Sequence, residues 1–143
     1  MNEDDVGPLA GPILDKFREV IVGTDNMYKL ARKHELKVAF GTDLIFSPAV
    51  TARQGLMIGN MARWYSGSET LRMVTGGNGE LLALSGERNP YPAKLGVLER
   101  GAWADLLVVD GNPLDNVALL ADPEKNLKLI MKDGRIYKDA MRT

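Results

Sequence analysis

The sequence predicts a mixed α/β chain: a helix running into a short buried strand, more helix, and then a β-rich tail. Three observations carry this. Ile13, Leu14, Phe17, Val20 and Ile21 recur at the spacing of one helix face, with Asp15, Lys16, Arg18 and Glu19 opposite. Lys37-Val38-Ala39-Phe40-Gly41-Thr42-Asp43 is a short apolar run closed by Gly-Thr-Asp, the texture of a buried strand. Asp133-Gly134, set between Leu127–Met131 and Arg135–Lys138, is the strongest short hairpin signal a sequence carries.

Each element follows from local chemistry. Residues up to Pro12 hold Gly7, Pro8 and Gly11, which punctuate a loop. Pro12 suits a first helical turn, where its missing N–H costs nothing. Gly23 interrupts the pattern, and Asp25 can cap a restart that runs to about Glu35. Helix, tight link and strand over Lys37–Thr42 then make one unit of a parallel sheet. Ser47-Pro48 opens a further helical stretch through Leu56, Met57, Met61 and Trp64, and Ser66-x-x-Glu69 has capping-box spacing ahead of Leu71, Met73 and Val74. Gly76-Gly77-Asn78-Gly79 reads as a break before a last helical turn or two. Asn89-Pro90-Tyr91-Pro92 is a rigid loop, which divides the chain into residues 1–85 and a tail of 86–143. In that tail Leu106-Leu107-Val108-Val109 reads as a strand followed by a Gly111-Asn112-Pro113 turn.

Composition narrows the chemistry. With 45% hydrophobic and 26% charged residues, the 143-residue chain has the balance of an ordinary globular protein. The formal net charge of −1 argues against nucleic acid or an anionic membrane as a partner. No run approaches the ~18 apolar residues of a membrane span, and the acidic start is no secretory leader, so a cytoplasmic location is expected. There is no cysteine and one histidine, His34, which excludes thiolate catalysis and any multi-histidine metal centre made by this chain alone.

Asp43 is the candidate site residue. It closes the expected strand, where parallel α/β folds place reactive groups. A carboxylate there can ligate a metal or pass a proton to a leaving group. The competing reading is a loop carboxylate bonded to nearby backbone. His34, among Arg32, Lys33, Glu35 and Lys37, reads as a helix-capping surface histidine. The Gly76–Gly79 run lacks the Lys-Ser/Thr of a phosphate loop. Met57, Met61, Met73 and Trp64 read as core, Arg53, Arg63 and Arg72 as solvated. Tyr91 and Trp103 read as aromatics packed at the junction rather than a gate.

Two longer stretches go beyond pattern. Lys37 to Asp43 resembles the last barrel strand of the amidohydrolase superfamily, which ends in Gly-Thr-Asp. Leu95-Gly96-Val97-Leu98-Glu99-Arg100-Gly101-Ala102-Trp103-Ala104-Asp105-Leu106-Leu107-Val108-Val109-Asp110-Gly111-Asn112-Pro113-Leu114 is similar to that family's "ADLVVLDGNPL" segment. Ile130 to Tyr137 resembles its closing "VIKDGKIV" run, and Glu69 to Leu84 its "EAL-x-x-x-T-x-N-x-A" helices. The branch most resembled is the Xaa-Pro dipeptidase and imidazolonepropionase-like group.

The resemblance implies the last helix-strand-helix units of a (β/α)8 TIM barrel in residues 1–85, and part of a flanking β-sandwich in 86–143. It implies metal-dependent hydrolysis of amide or peptide C–N bonds, with Asp43 as both metal ligand and catalytic carboxylate. The family's zinc-binding histidines fall in segments this sequence does not contain; a catalytic zinc ordinarily takes three protein ligands. The chain is therefore expected to be an incomplete, inactive portion of such a hydrolase, binding no zinc alone. Unpaired strand edges point to a second chain, a missing N-terminal segment or self-association as partner, and to a small amide or peptide substrate in the full enzyme. The alternative is a catalytically dead binding or oligomerisation module.

Overall fold

The computed structural model describes residues 10–43 and 48–141. The loop reading for residues 1–9 and the helix start at Ser47 lie outside the described residues. The chain divides into two compact units, Met1–Val38 and Ala39–Thr143.

The first unit is built on α1, Pro12–Lys33, with Pro12 in its first turn as expected. The helix is continuous. Gly23 does not interrupt it, because a single glycine costs only about 1 kcal/mol inside a 22-residue helix. It ends in a Schellman arrangement: the Glu35 N–H reaches the Arg32 carbonyl at 3.2 Å and the Leu36 N–H reaches the Ala31 carbonyl at 2.9 Å. Glu35 takes the left-handed position with φ of +51°, where glycine is usual. Of its apolar side chains, Ala31 is buried, while Ile13, Val20, Val22, Met27 and Leu30 remain exposed.

Among the described residues, the second unit carries short α-helical, 3₁₀ and π segments and a sheet. After α2 (Pro48–Thr51) and α3 (Gln54–Asn60), a 3₁₀ turn spans Met61–Arg63. Then comes α4, Gly67–Arg72, opened by the expected capping box: the Glu69 N–H donates to Ser66 Oγ at 3.3 Å and the Ser66 N–H donates to Glu69 Oε2 at 2.7 Å. The predicted break at Gly76–Gly79 does not occur. A π-helical turn, Met73–Gly77, joins α4 directly to α5, Asn78–Ala83. Glycine here widens the turn instead of ending the helix, because it has no Cβ to crowd the extra residue.

β1 (Leu106–Val109), β2 (Leu127–Lys132) and β3 (Arg135–Asp139) form an antiparallel sheet in the order β1-β2-β3. The hairpin lies where the sequence puts it, with Asp133 at φ +51° and Gly134 at +71°, the two positive values a type I′ turn requires. Between β1 and β2 lie a 3₁₀ helix, Val117–Ala121, and α6, Pro123–Asn126, capped by the Asn116 and Asp122 side chains.

Val117, Leu120 and Leu127 form the buried centre of this unit, with Ile58, Leu71, Val109 and Ile130 packed around them. What brings α3 to the 3₁₀ helix is a pair of glycines one turn apart. A Cβ on Gly55 would strike the Leu120 carbonyl, and one on Gly59 would sit 3.4 Å from Ala118 Cα.

One expectation fails outright. Lys37–Thr42 forms no strand, and the boundary between the two units falls inside it. A strand is stabilised by a ladder with neighbours, and among the described residues no ladder pairs with this segment. Propensity alone does not hold it in a sheet.

Candidate functional site

Asp43 is the last described residue before position 48, exposed, with its backbone at φ +50°. Aspartate enters this left-handed region more readily than most residues, because its short side chain bonds locally. The segment leading to it is tied down three residues earlier. The Phe40 N–H donates to Asn78 Oδ1 at 2.8 Å, and Asn78 Nδ2 donates to the Phe40 carbonyl, also at 2.8 Å. One carboxamide thus satisfies both backbone groups of Phe40, as a neighbouring strand residue would.

Asn78 is the residue that sequence reasoning passed over. In the sequence it sits in the glycine-rich run Gly76–Gly79, which reads as a helix break. The clue was a carboxamide in a run otherwise made of helix formers and glycines, where an unpaired amide is costly if half-buried.

The π turn that presents Asn78 rests on Leu95-Gly96-Val97. Gly96, at φ +68°, packs directly on the Thr75 and Gly76 backbone, where a Cβ would collide. Thr75 Oγ1 donates to the Leu71 carbonyl at 2.6 Å, taking up one acceptor across the widened turn. Beside this turn lies a groove of about 410 Å³ lined by Gly76, Gly79, Ala83, Tyr91, Lys94 and Leu95, among others. Asp43 does not line it. Tyr91 and Trp103 meet edge to face, ring centres 6.3 Å apart, as packed aromatics. Lys94 pairs with Glu99 at 2.7 Å, and that hydrogen bond, followed by the attraction of the carboxylate, raises the lysine pKa above its ordinary 10.5.

His34 caps the C-terminus of α1, its N–H bonded to the Leu30 carbonyl at 3.0 Å and its imidazole exposed. Among the described residues, no group of three or more His, Cys, Asp or Glu is arranged to hold a metal ion. The donor set does not fit a zinc centre of the kind the resemblance implies. Asp43 is a single carboxylate, whereas such a centre takes three protein ligands. Nor is any described helix long and apolar enough to cross a membrane.

No family model matches the chain, and no curated protein sequence matches it. Solved structures do. An amidohydrolase crystal structure is 30% identical with a TM-score of 0.68, over 81% of this chain and 26% of that one. An uncharacterised protein is 27% identical with a TM-score of 0.64, over 80% of this chain and 26% of that one. A prolidase in complex with N-methylphosphonate-L-proline is 28% identical with a TM-score of 0.65, again over 80% and 26%. The chain is thus similar to amidohydrolase and prolidase structures in backbone path over four-fifths of its length, and it spans about a quarter of the length of the solved chains it matches.

Proposed function

We propose that this chain serves a metal-dependent hydrolase of amide or peptide C–N bonds, to which it brings Asp43 and the surfaces around it. The observation that supports this reading most is the match of four-fifths of the chain to amidohydrolase and prolidase structures at 27–30% identity. In this reading residues 1–85 belong to the closing part of a (β/α)8 barrel and 86–143 to a flanking β-sandwich. A metal ion in the complete enzyme would need ligands from outside these residues and would supply Lewis-acid chemistry there. Asp43 would be the one carboxylate this chain offers to such an ion. Its carboxylate takes a proton from the attacking water and gives it to the leaving nitrogen, so that water adds across the C–N bond.

The test is to purify the chain with whatever it assembles with in its source cells and to assay dipeptides and N-acyl amino acids in the presence of zinc or manganese. Hydrolysis that falls by at least about a hundredfold in Asp43→Asn supports the proposal, a loss of the size general acid–base groups confer. Hydrolysis untouched by that change removes Asp43 from the chemistry.

A second reading, a binding or oligomerisation module without catalysis, is favoured by one observation. Leu107, Val108, Ile136 and Tyr137 stand exposed on outer strands that each have an open edge among the described residues. Such edges and apolar surfaces associate. Stable assembly with no metal bound and no hydrolysis under any reconstitution selects it.

A further inference from the structure

Two features of the second unit converge on one residue. The first is the π turn at Met73–Gly77. One extra residue in a helical turn rotates everything after it by about 100° around the axis, so this turn decides which face Asn78 occupies. The turn is held in that form from outside: Gly96 packs on the Thr75–Gly76 backbone, and Gly79 packs on the Leu95 carbonyl with no room for a Cβ. The second is the double hydrogen bond between the Asn78 carboxamide and Phe40, across 38 positions of sequence. Phe40 is half-buried, so its N–H and C=O are not simply handed to water.

The segment after Phe40 has no sheet to hold it. Gly41 and Thr42 carry the chain to Asp43 without a ladder partner among the described residues. We infer that Asn78 is a positioning residue: its carboxamide stands in for a neighbouring strand and fixes the backbone that presents Asp43. That it positions a working carboxylate rests on the hydrolase reading above; that it orders residues 40–43 does not.

The shape of the amide is what matters. Asparagine offers one acceptor and one donor side by side, matching the N–H and C=O of a single residue. Alanine offers neither. Aspartate sets a charged oxygen against the Phe40 carbonyl, a repulsion that turns the ionised carboxylate away from both backbone groups, and only its protonated form restores the acceptor and donor pair.

The test is amide hydrogen exchange and ¹⁵N relaxation on the full 143-residue chain, comparing wild type with Asn78→Ala and Asn78→Asp. At pH 7 both variants are expected to exchange the Phe40 amide roughly tenfold faster, the factor that about one net hydrogen bond corresponds to. Both should lose order at Thr42 and Asp43, while Leu129 and Ile130 in β2 keep wild-type protection. Lowering the pH towards about 4, where an aspartate takes up its proton, should return Phe40 protection in Asn78→Asp relative to wild type at the same pH, and not in Asn78→Ala. Unchanged Phe40 exchange in both variants overturns the inference. So does faster exchange spread evenly over β2, since that is loss of fold and not loss of placement. Neither readout uses hydrolysis, so an inactive chain with an intact Asn78–Phe40 tie defeats the hydrolase reading alone.

Discussion

The Asp105 carboxylate accepts the backbone N–H of Asp133 at 2.6 Å, across 28 positions of sequence. It ties the tip of the β2–β3 hairpin to the residue just before β1. The neighbouring Gly134 N–H reaches the Ala104 carbonyl at 3.0 Å, and Lys132 Nζ lies 3.8 Å from the second Asp105 oxygen. The Ala-Asp-Leu and Lys-Asp-Gly segments, which the sequence presents as separate motifs, are therefore two halves of one joint.

Removing that joint has a measurable cost. Asp105→Ala should lower the stability of the second unit by about 1.5–3 kcal/mol, the range for a hydrogen bond to a charged group. Asp105→Asn keeps an acceptor and should recover much of the loss. Urea denaturation followed by the exchange rate of the Asp133 amide distinguishes them, and equal behaviour of the two variants would assign the loss to something other than this bond.

Close approach at Gly55 yields a sharper contrast. Gly55→Ala drives a methyl group into the backbone carbonyl of Leu120, which cannot swing aside as a side chain would. A loss of about 1–3 kcal/mol is expected from overpacking at the α3 contact with Val117–Ala121. Gly23→Ala in the middle of α1 meets nothing within 4 Å and should instead stabilise that helix by about 0.5–1 kcal/mol. Thermal melts read by circular dichroism should move in opposite directions.

The Lys94–Glu99 pair predicts a titration. Because the folded lysine is held above 10.5, its contribution is fully present below that pH and is lost as the pH rises through the raised value. Glu99→Gln should bring the Lys94 midpoint, followed by NMR of its ε-carbon, back down towards 10.5. The pair stands in solvent, so added salt should weaken the shift and denaturation midpoints at neutral pH should hardly respond.

Much of the fold was legible where the deciding atoms lie within a few residues of each other. Pro12 opens α1, Ser66 and Glu69 cap α4, and Asp133-Gly134 turns the hairpin, each through contacts that local spacing already specifies. The candidate site was less legible. Asp43 stands out by residue type and by its Gly-Thr-Asp context, but what holds its segment, Asn78, lies in a run whose glycines suggest the opposite of the continuous helix they form.

By itself the sequence determined the local elements and the family likeness, together with a donor inventory of one histidine and no cysteine. Tertiary structure alone decided that Lys37–Thr42 would not be a strand, that Gly76 and Gly77 would widen a helix, and that Gly55 and Asp105 would meet Leu120 and Asp133. The reason is range. Caps and turns are closed by neighbours in the chain, whereas a strand needs a partner, a π turn needs a support, and a glycine contact needs an opposing backbone, all supplied from dozens of residues away.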